Sequence, residues 1–121
     1  MADILVVDDE QDMTIMLKTV LERRGHTVVT ASNGVEALEL LQDSDVHLVV
    51  TDMHMPELDG FELIPALLER FPDQRIIAMS GVGQWEHRDN LNAALDLGAD
   101  CCVEKPFDID EFYGCVRELV G

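Results

Sequence analysis

The sequence has few basic residues and no long apolar run. Its 121 residues include 25 Asp and Glu but only 8 Lys and Arg, which gives a net charge of −17 at pH 7. A field of that sign repels phosphate backbones and anionic lipid surfaces, so direct binding of nucleic acid or membranes is not expected. No stretch approaches the roughly 20 apolar residues that a membrane-spanning helix needs. The amino terminus also lacks the pattern of a secretory signal.

The cysteines are few and odd in number. Cys101 and Cys102 are adjacent, and Cys115 follows later in the chain. This arrangement provides neither the even count of a disulfide framework nor the paired spacing of a metal site. We therefore predict reduced thiols and a cytoplasmic location.

Linkers, internal repeats and low-complexity tracts are also absent. The chain is long enough for one compact core and too short for a second domain beside it. Its 47% hydrophobic and 27% charged residues are typical of a globular protein. We expect a single domain over residues 1–121.

Five short apolar runs rich in Val and Ile are predicted strands. Most of them are continuous rather than alternating, which is typical of strands that are buried on both faces of a parallel sheet. They are Ile4–Val7, Thr27–Ala31, Leu48–Val50, Arg75–Met79 and Cys101–Val103.

Stretches with helical spacing of apolar residues follow each of these runs. Gly25 is a plausible stop for the first helix, and Asp108 can cap the last one. Pro65 in the third predicts a kink or a late start, because proline lacks an amide hydrogen. Strand and helix alternate five times, which predicts an α/β fold with helices on both faces of a parallel sheet.

Ligands of such sheets bind at the carboxyl ends of the strands. The residues there are Asp8 and Asp9 after the first strand, Asp52 after the third, Ser80 at the end of the fourth and Lys105 after the fifth. Three carboxylates in one crevice repel one another by roughly 4 kcal/mol per close pair at an effective dielectric of about 20. A compensating cation is therefore expected.

Magnesium suits this arrangement, because it binds a few carboxylates and a carbonyl while it retains several waters. Lys105 adds a second positive charge to the crevice. An ionised carboxylate there can attack a phosphoryl group whose charge the two cations stabilise, and the product is an acyl phosphate.

Each of these residues alone also has a simpler interpretation. Asp8 and Asp9 could only cap the following helix, and Asp52 could head a turn. Ser80 alone indicates little, and Lys105 before a proline is typical of a surface turn. However, Asp52 ends a buried apolar run, where an ionised group without a role is costly. The combination of all five at strand ends favours the functional interpretation.

The same residues lie in runs that resemble response-regulator receiver (CheY-like) domains, over the whole chain and in the same order. The runs are Ile4–Glu10, Asp52–Gly60, Ser80–Gly81, Gly98–Asp100 and Lys105–Phe107. The resemblance implies a doubly wound, flavodoxin-like (βα)5 fold with strand order 2-1-3-4-5. It also implies transfer of a phosphoryl group from a histidine kinase or a histidine phosphotransfer protein.

In this resemblance Asp52 matches the phosphoacceptor. Asp9, Asp52 and the backbone carbonyl of His54 match the positions that bind Mg²⁺, and Asp8 matches a residue that acts through a bound water. Lys105 matches the lysine that pairs with the phosphoryl group.

Two further matches concern switching. Pro106 is expected after a cis peptide bond, and Ser80 matches the hydroxyl that reaches the phosphoryl group once it is in place. Family members then change the surface of the fourth helix, the fifth strand and the fifth helix. The resemblance therefore implies a downstream protein target or an output domain in a longer chain.

Several features depart from the family pattern or stay open. Cys102 stands where an aromatic residue is usual, and we expect it to fill core space. His54 is either a solvated loop side chain or a group that tunes hydrolysis of the phosphoryl group. Trp85 lies in the predicted fourth loop, where it could report phosphorylation or contact a partner. The remaining histidines show no ligand spacing and are predicted to lie at the surface or in loops: His26, His47 and His87.

Three other functions remain as alternatives. A degenerate receiver would bind partners without phosphorylation. The missing aromatic residue keeps this alternative open, but the intact acidic pair, acceptor, hydroxyl and lysine argue against it. A magnesium-dependent phosphohydrolase would also use an aspartyl phosphate, but its nucleophile belongs to an Asp-x-Asp pair after the first strand, where this chain has Asp8, Asp9 and Glu10. A nucleotide-binding or flavin-binding module needs a glycine-rich turn at the first helix, and the turn here is acidic.

Overall fold

The computed structural model describes residues 2–81 and 87–120, with the side chains of residues 87–91 excepted. Strands and helices alternate along the chain. The strands are β1 (Asp3–Val7), β2 (Thr27–Ala31), β3 (Leu48–Asp52), β4 (Arg75–Gly81) and β5 (Cys101–Lys105). The helices are α1 (Gln11–Arg23), α2 (Gly34–Leu40), α3 (Gly60–Arg70), α4 (His87–Leu97) and α5 (Ile109–Val120).

The five strands form one parallel sheet in the order β2-β1-β3-β4-β5. This result confirms the predicted α/β class and the strand order that the resemblance implied. β1 lies inside the sheet between β2 and β3, while β2 and β5 are its two edges. The carboxyl ends of β1, β3, β4 and β5 consequently meet along one side of the sheet.

Successive side chains of a strand point to opposite faces, so each strand supplies two cores. Leu5 and Val7 of β1 contribute to a core that α2, α3 and α4 cover. Ile4 and Val6 contribute to a second core, which α1 and α5 cover. All four side chains are fully buried, and the helices therefore lie on both faces of the sheet.

Helix boundaries follow their capping residues. Asn33 and Asp59 accept hydrogen bonds from backbone amides in the first turns of α2 and α3. Asp108 accepts one from Asp110 N at 2.9 Å, in agreement with its predicted capping role. Pro65 lies inside α3 on its exposed side. Of the two predicted effects, a kink or a late start, the late start is excluded because α3 already begins at Gly60.

The prediction of unpaired thiols was wrong. Cys101 at the start of β5 and Cys115 in α5 form a disulfide, with their Cα atoms 6.4 Å apart. Nothing in the sequence indicated the pairing, because the 13 residues between the two cysteines contain the turn that brings α5 back over β5.

His26 lies in the loop between α1 and β2, within the prediction of a surface or loop position, but it is buried. Its Nδ1 accepts a hydrogen bond from Ala2 N at 3.1 Å, and its Nε2 lies 3.3 Å from Tyr113 Oη. His47 is exposed, as predicted, and its Nδ1 accepts from Asp3 N at 2.9 Å. The loop with Trp85 and the side chain of His87 lie outside the described residues.

None of the helices in residues 2–81 and 87–120 is both long enough and apolar enough to cross a membrane.

Candidate functional site

The strand register brings the predicted site residues together at the carboxyl ends of the strands. Asp52 is the last residue of β3 and pairs with Met79 of β4. Ser80 follows Met79 directly, and Lys105 at the end of β5 pairs with Gly81 of β4. Asp8 comes directly after β1 and continues the sheet through a hydrogen bond from its amide to Ala31 O.

Lys105 forms hydrogen bonds with the two buried carboxylates at these strand ends. Its Nζ donates to Asp8 Oδ2 at 2.7 Å and to Asp52 Oδ2 at 3.0 Å. The side chains of Asp8 and Asp52 are 0% and 6% exposed, and that of Lys105 is 11% exposed. Charge-assisted hydrogen bonds of this kind offset part of the free-energy cost of burying ionised carboxylates in a medium of low dielectric.

The pKa of Asp52 is raised above its ordinary value. Burial is the largest cause, and the nearby Asp8 carboxylate adds to it. The charge of Lys105 and a hydrogen bond from His54 N oppose the rise without cancelling it. The ionised form of Asp52 is therefore held at a cost in free energy, which an additional cation would reduce.

Lys105 shows the complementary effect. Burial is the largest single influence on its pKa and would lower it, but the hydrogen bonds and charges of Asp8 and Asp52 together outweigh burial and raise the pKa. The ammonium group therefore stays charged at neutral pH.

Asp8 has two roles in the same turn. Its Oδ2 receives Lys105, while its Oδ1 accepts a hydrogen bond from Glu10 N at 2.9 Å. Glu10 is the residue that precedes α1. Asp8 therefore accepts a hydrogen bond in the turn before α1 and pairs with Lys105, but the N-cap of α1 is Glu10 rather than Asp8.

A group of three carboxylates in the described part of the chain is close enough to share a metal ion. One oxygen atom from each of Asp8, Glu10 and Asp52 lies within 4.8 Å of the other two. Hard divalent cations prefer such oxygen ligands. The donor set therefore fits Mg²⁺, the ion that the sequence indicated.

Sequence reasoning missed Glu10. Its carboxylate is exposed, and Oε1 lies 3.7 Å from Lys105 Nζ. The signal was available, because Glu10 is the third acidic residue in a row after β1 and lies in the same turn as Asp8. Its position was not evident from spacing, since the turn brings the side chain of Glu10 back toward β5.

Asp9 is exposed and lies at the border of the site. With Asp8 it lines a cavity of about 300 Å³, whose other walls come from the start of α1 and the end of β2. Of the three carboxylates, Asp8 lines this cavity, whereas Glu10 and Asp52 do not. The structure thus keeps Asp9 near the site, although it does not belong to the group of three.

Ser80 is fully buried, and within residues 2–81 and 87–120 its Oγ has no hydrogen-bond partner. A buried hydroxyl without a partner is destabilising by about 1–3 kcal/mol. An oxygen atom of a ligand at the end of β3 could satisfy it, since Ser80 is one position beyond the partner of Asp52.

Three other predicted features surround these residues. The peptide bond between Lys105 and Pro106 is cis, as the resemblance implied. The ring of His54 is half-buried and packs edge to face against Phe61, with ring centroids 5.7 Å apart. Cys102 packs against the core that α2, α3 and α4 cover, and burial raises the pKa of its thiol to about 11.

Known proteins of similar sequence are response regulators and their receiver domains. The model of the response regulator receiver domain family matches residues 4–117. Sporulation initiation phosphotransferase F of Bacillus subtilis is 33% identical over 117 residues, which are 97% of this chain and 92% of that protein. The response regulator SaeR of Staphylococcus aureus is 38% identical over 120 residues, which are 99% of this chain but only 51% of SaeR.

Solved structures agree with the fold. The response regulator TrrA of Thermotoga maritima, crystallised in complex with Mg²⁺ and BeF, superimposes with a TM-score of 0.86 at 32% identity. The match covers 99% of this chain and 100% of that one. With its strand order, its acidic crevice and its lysine in the positions described above, the chain belongs to the response regulator receiver domain family.

Proposed function

We propose that the chain is a phosphorylation switch that receives a phosphoryl group on Asp52 with the help of Mg²⁺. The observation that carries the proposal is the position of Lys105, whose Nζ bonds both Asp52 and Asp8 in a buried crevice at the strand ends. A buried triad of two carboxylates and one ammonium group is costly to maintain without a function. Receiver domains act as signalling switches, and this crevice supplies the groups that such a switch needs.

In the proposed reaction Asp52 is the nucleophile. One of its carboxylate oxygens attacks the phosphorus of a phosphohistidine as the bond between phosphorus and nitrogen breaks, and the imidazole leaves with a proton from solvent. The product is an acyl phosphate on Asp52. Lys105 is already bonded to Asp52 Oδ2, and it can pair with a phosphoryl oxygen as the new bond forms.

The acidic residues would hold the metal ion. Asp8, Asp9, Asp52 and the backbone carbonyl of His54 are the proposed site, and Glu10 is added because its carboxylate lies among those of Asp8 and Asp52. When bound, the ion neutralises charge on the phosphoryl oxygens. The residues themselves orient the acceptor, since His54 N donates to Asp52 Oδ1 at 3.2 Å and leaves Oδ2 toward Lys105.

Ser80 is proposed to carry the signal away from the site. Its unpaired, buried hydroxyl would bond an oxygen of the phosphoryl group, and this new bond would shift the end of β4. β4 contacts β5, and α4 and α5 pack beside them. The outer surface of these elements is therefore the proposed output surface.

The proposed partners follow from this chemistry. The phosphoryl donor would be a sensor histidine kinase or a histidine phosphotransfer protein, and the location would be the cytoplasm. In that compartment the disulfide between Cys101 and Cys115 would be exposed to reduction. The chain spans nearly all of one curated relative and about half of SaeR. A receiver over residues 1–121 that acts on a downstream protein, and a receiver that precedes an output domain, both agree with these lengths.

A degenerate receiver is the second candidate, favoured by Cys102 at the position where the family usually has an aromatic residue. Cys102 pairs with Ala78 of β4 in the sheet and packs against the core that α2, α3 and α4 cover. Such a receiver would bind its partners without a phosphoryl group. No comparable observation supports a phosphohydrolase. Measured turnover of free phosphate esters would be needed to support that function.

The test is intact-protein mass spectrometry after incubation with acetyl phosphate, with and without Mg²⁺. We expect one phosphoryl adduct on the wild type that requires the metal and is absent from Asp52→Asn. Asp12→Asn removes an exposed carboxylate of α1 and should leave the adduct unchanged. No adduct on the wild type under any condition would overturn the proposal and favour the degenerate receiver.

A further inference from the structure

We propose that a surface beside the edge strand β2 binds a basic, amphipathic segment of a partner protein. This surface, called here the β2–α2 surface, consists of Val29 on β2, the outer face of α2 and Val46 in the segment before β3. It lies on the edge strand β2, whereas Lys105 belongs to the opposite edge strand. The proposal is independent of phosphorylation at Asp52.

Exposed apolar side chains define the surface. Val29 is 44% exposed, Val35 is 42% exposed and Leu40 is 39% exposed. Single exposed apolar residues need no explanation, but neighbouring ones indicate an interaction site. These three belong to two elements that are consecutive in the chain and pack against each other.

The short length of α2 explains the exposure of Val29. Side chains alternate along a strand, so Val29 points to the same face of the sheet as Ala31. Ala31 is buried in one core with Ala37 of α2. Because α2 has only seven residues, it covers the Ala31 end of β2 and leaves Val29 accessible.

A hollow of about 220 Å³ lies beside Val29. Its other lining residues are Asp3, Ile4, Thr27, Ser44, Asp45 and Val46. Small-molecule sites usually have volumes of about 300–1,000 Å³. The hollow is therefore better suited to one apolar side chain of a partner than to a metabolite.

The charged side chains of α2 and of the segment before β3 are acidic. From residue 25 to residue 46 the sequence contains Glu36, Glu39, Asp43 and Asp45, all exposed, and no Lys or Arg. Glu36 and Glu39 are exposed on the same face of α2 as Val35 and Leu40, because positions four apart on a helix are neighbours. A partner that alternates aliphatic side chains with Lys or Arg would match both the apolar and the acidic positions.

A second copy of the chain fits less well. Two β2–α2 surfaces would bring Glu36, Glu39 and their counterparts together, and like charges in contact are destabilising. By contrast, the exposed Ile15 and Met16 of α1 share their helix with Lys18 and Arg23, so that face has mixed charge. Among the exposed apolar groups, the β2–α2 surface has the clearest preference for a basic partner.

The proposal can be tested with a synthetic amphipathic helix of Leu and Lys as the probe. The peptide is titrated into the isotopically labelled full chain, and amide chemical shifts are followed by NMR. A scrambled peptide of the same composition is the control for charge alone. We expect the amphipathic peptide to shift Val29, Leu40 and Val46 most, and the scrambled peptide to bind at least fivefold more weakly.

Substitutions separate this surface from the others. Leu40→Ala and Val29→Ala should each weaken binding by about fivefold or more, the scale of a truncated interface anchor. Leu95→Ala removes an exposed apolar side chain from α4, where Leu95 is 48% exposed, and should change binding less than twofold. Circular dichroism of each variant controls for folding, and added salt should weaken binding of the wild type.

Several outcomes would overturn the proposal. Equal binding of the scrambled peptide, or equal weakening by Leu95→Ala, would show that only the net charge attracts the peptide. Binding that is insensitive to salt would contradict a basic partner. A dimer of the peptide-free wild type in sedimentation, lost in Leu40→Ala, would assign the surface to a second copy of the chain instead.

Discussion

Gly60 at the start of α3 lies directly against Met53, the residue after β3. A Cβ atom on Gly60 would be 2.7 Å from Met53 Sδ and 2.8 Å from Met53 Cα, and also 2.8 Å from Asp52 O. The sulfur could move, but the backbone atoms could not move without displacing the acceptor residue. The absence of a side chain at Gly60 therefore keeps α3 close to the end of β3.

Gly60→Ala should destabilise the protein and displace Asp52. We expect the free energy of unfolding to fall by about 1–3 kcal/mol, as for other overpacked sites, and phosphorylation from acetyl phosphate to slow. Gly114→Ala in α5 is the matched control, because a Cβ there meets no atom within 4 Å. It should raise the free energy of unfolding by up to about 1 kcal/mol, since alanine favours helix. Equal effects in urea denaturation would contradict the close approach at Gly60.

Asp52→Asn should stabilise the metal-free protein at neutral pH. Burial raises the pKa of Asp52 despite Lys105, so the folded chain holds this carboxylate in its ionised form at a cost. A group with a raised pKa in the folded state favours folding below its unfolded value of 3.8 and loses that contribution as the pH rises through the folded value. The stabilisation by Asp52→Asn should therefore shrink in acid.

The measurement is urea denaturation of Asp52→Asn and wild type with and without Mg²⁺. Added Mg²⁺ should stabilise the wild type and have a smaller effect on the variant, because one carboxylate is lost. A variant that is less stable than the wild type in metal-free buffer at neutral pH would show that the bond to Lys105 outweighs burial.

His26 should make stability dependent on pH near neutrality. Its Nδ1 accepts the amide of Ala2, so the neutral ring carries its proton on Nε2 and donates to Tyr113 Oη. Burial lowers the pKa of His26 from 6.5. The unfolded chain then binds a proton before the folded chain does, and stability is lost as the pH falls from 6.5 through the folded value.

His26→Gln keeps a hydrogen-bond acceptor without a titrating ring. Below pH 6.5, the urea midpoint of this variant should therefore depend less on pH than that of the wild type. His47→Gln is the control, because His47 also accepts a backbone amide but is exposed. We expect this second variant to retain the slope of the wild type. If both variants lose it equally, burial of His26 is not its origin.

Cys115→Ser should weaken the protein in non-reducing buffer. It removes the disulfide to Cys101, which closes a loop of 14 positions. Loops of this length are associated with about 3 kcal/mol of stabilisation. A reductant should lower the stability of the wild type to that of the variant, as measured by urea denaturation with and without dithiothreitol.

Cys102→Ser is the control for this experiment. The thiol of Cys102, with its pKa raised to about 11, stays protonated at neutral pH and is a poor partner for disulfide exchange. The variant should therefore keep its sensitivity to reductant. A wild type that does not respond to reductant would contradict the pairing of Cys101 with Cys115.

The sequence was most informative where a residue ends a strand. Asp8, Asp52, Ser80 and Lys105 could be placed together because the carboxyl ends of parallel strands share one edge, whatever the details of the loops. The continuous apolar runs also predicted strands buried on both faces. Such patterns extend over several residues, so they do not depend on any single side chain.

The features that sequence reasoning missed depend on how one turn folds back. Glu10 approaches Lys105 because the turn after β1 bends toward β5, and Cys115 meets Cys101 because α5 packs over β5. The burial of His26 similarly requires α5 to bring Tyr113 beside it. A single side chain at a particular depth and angle produces no periodic pattern, so these contacts were not visible in the sequence.

The bond between Asp8 and Lys105 joins residues that are 97 positions apart. A ribosome adds Lys105 97 residues after Asp8, and domains generally fold as units. A nascent chain that ends before β5 contains Asp52 and Asp8 but not the lysine that balances their charge. The proposed phosphorylation of Asp52 would therefore require β5 to be in place, so it would be a property of the folded sheet and not of any shorter segment.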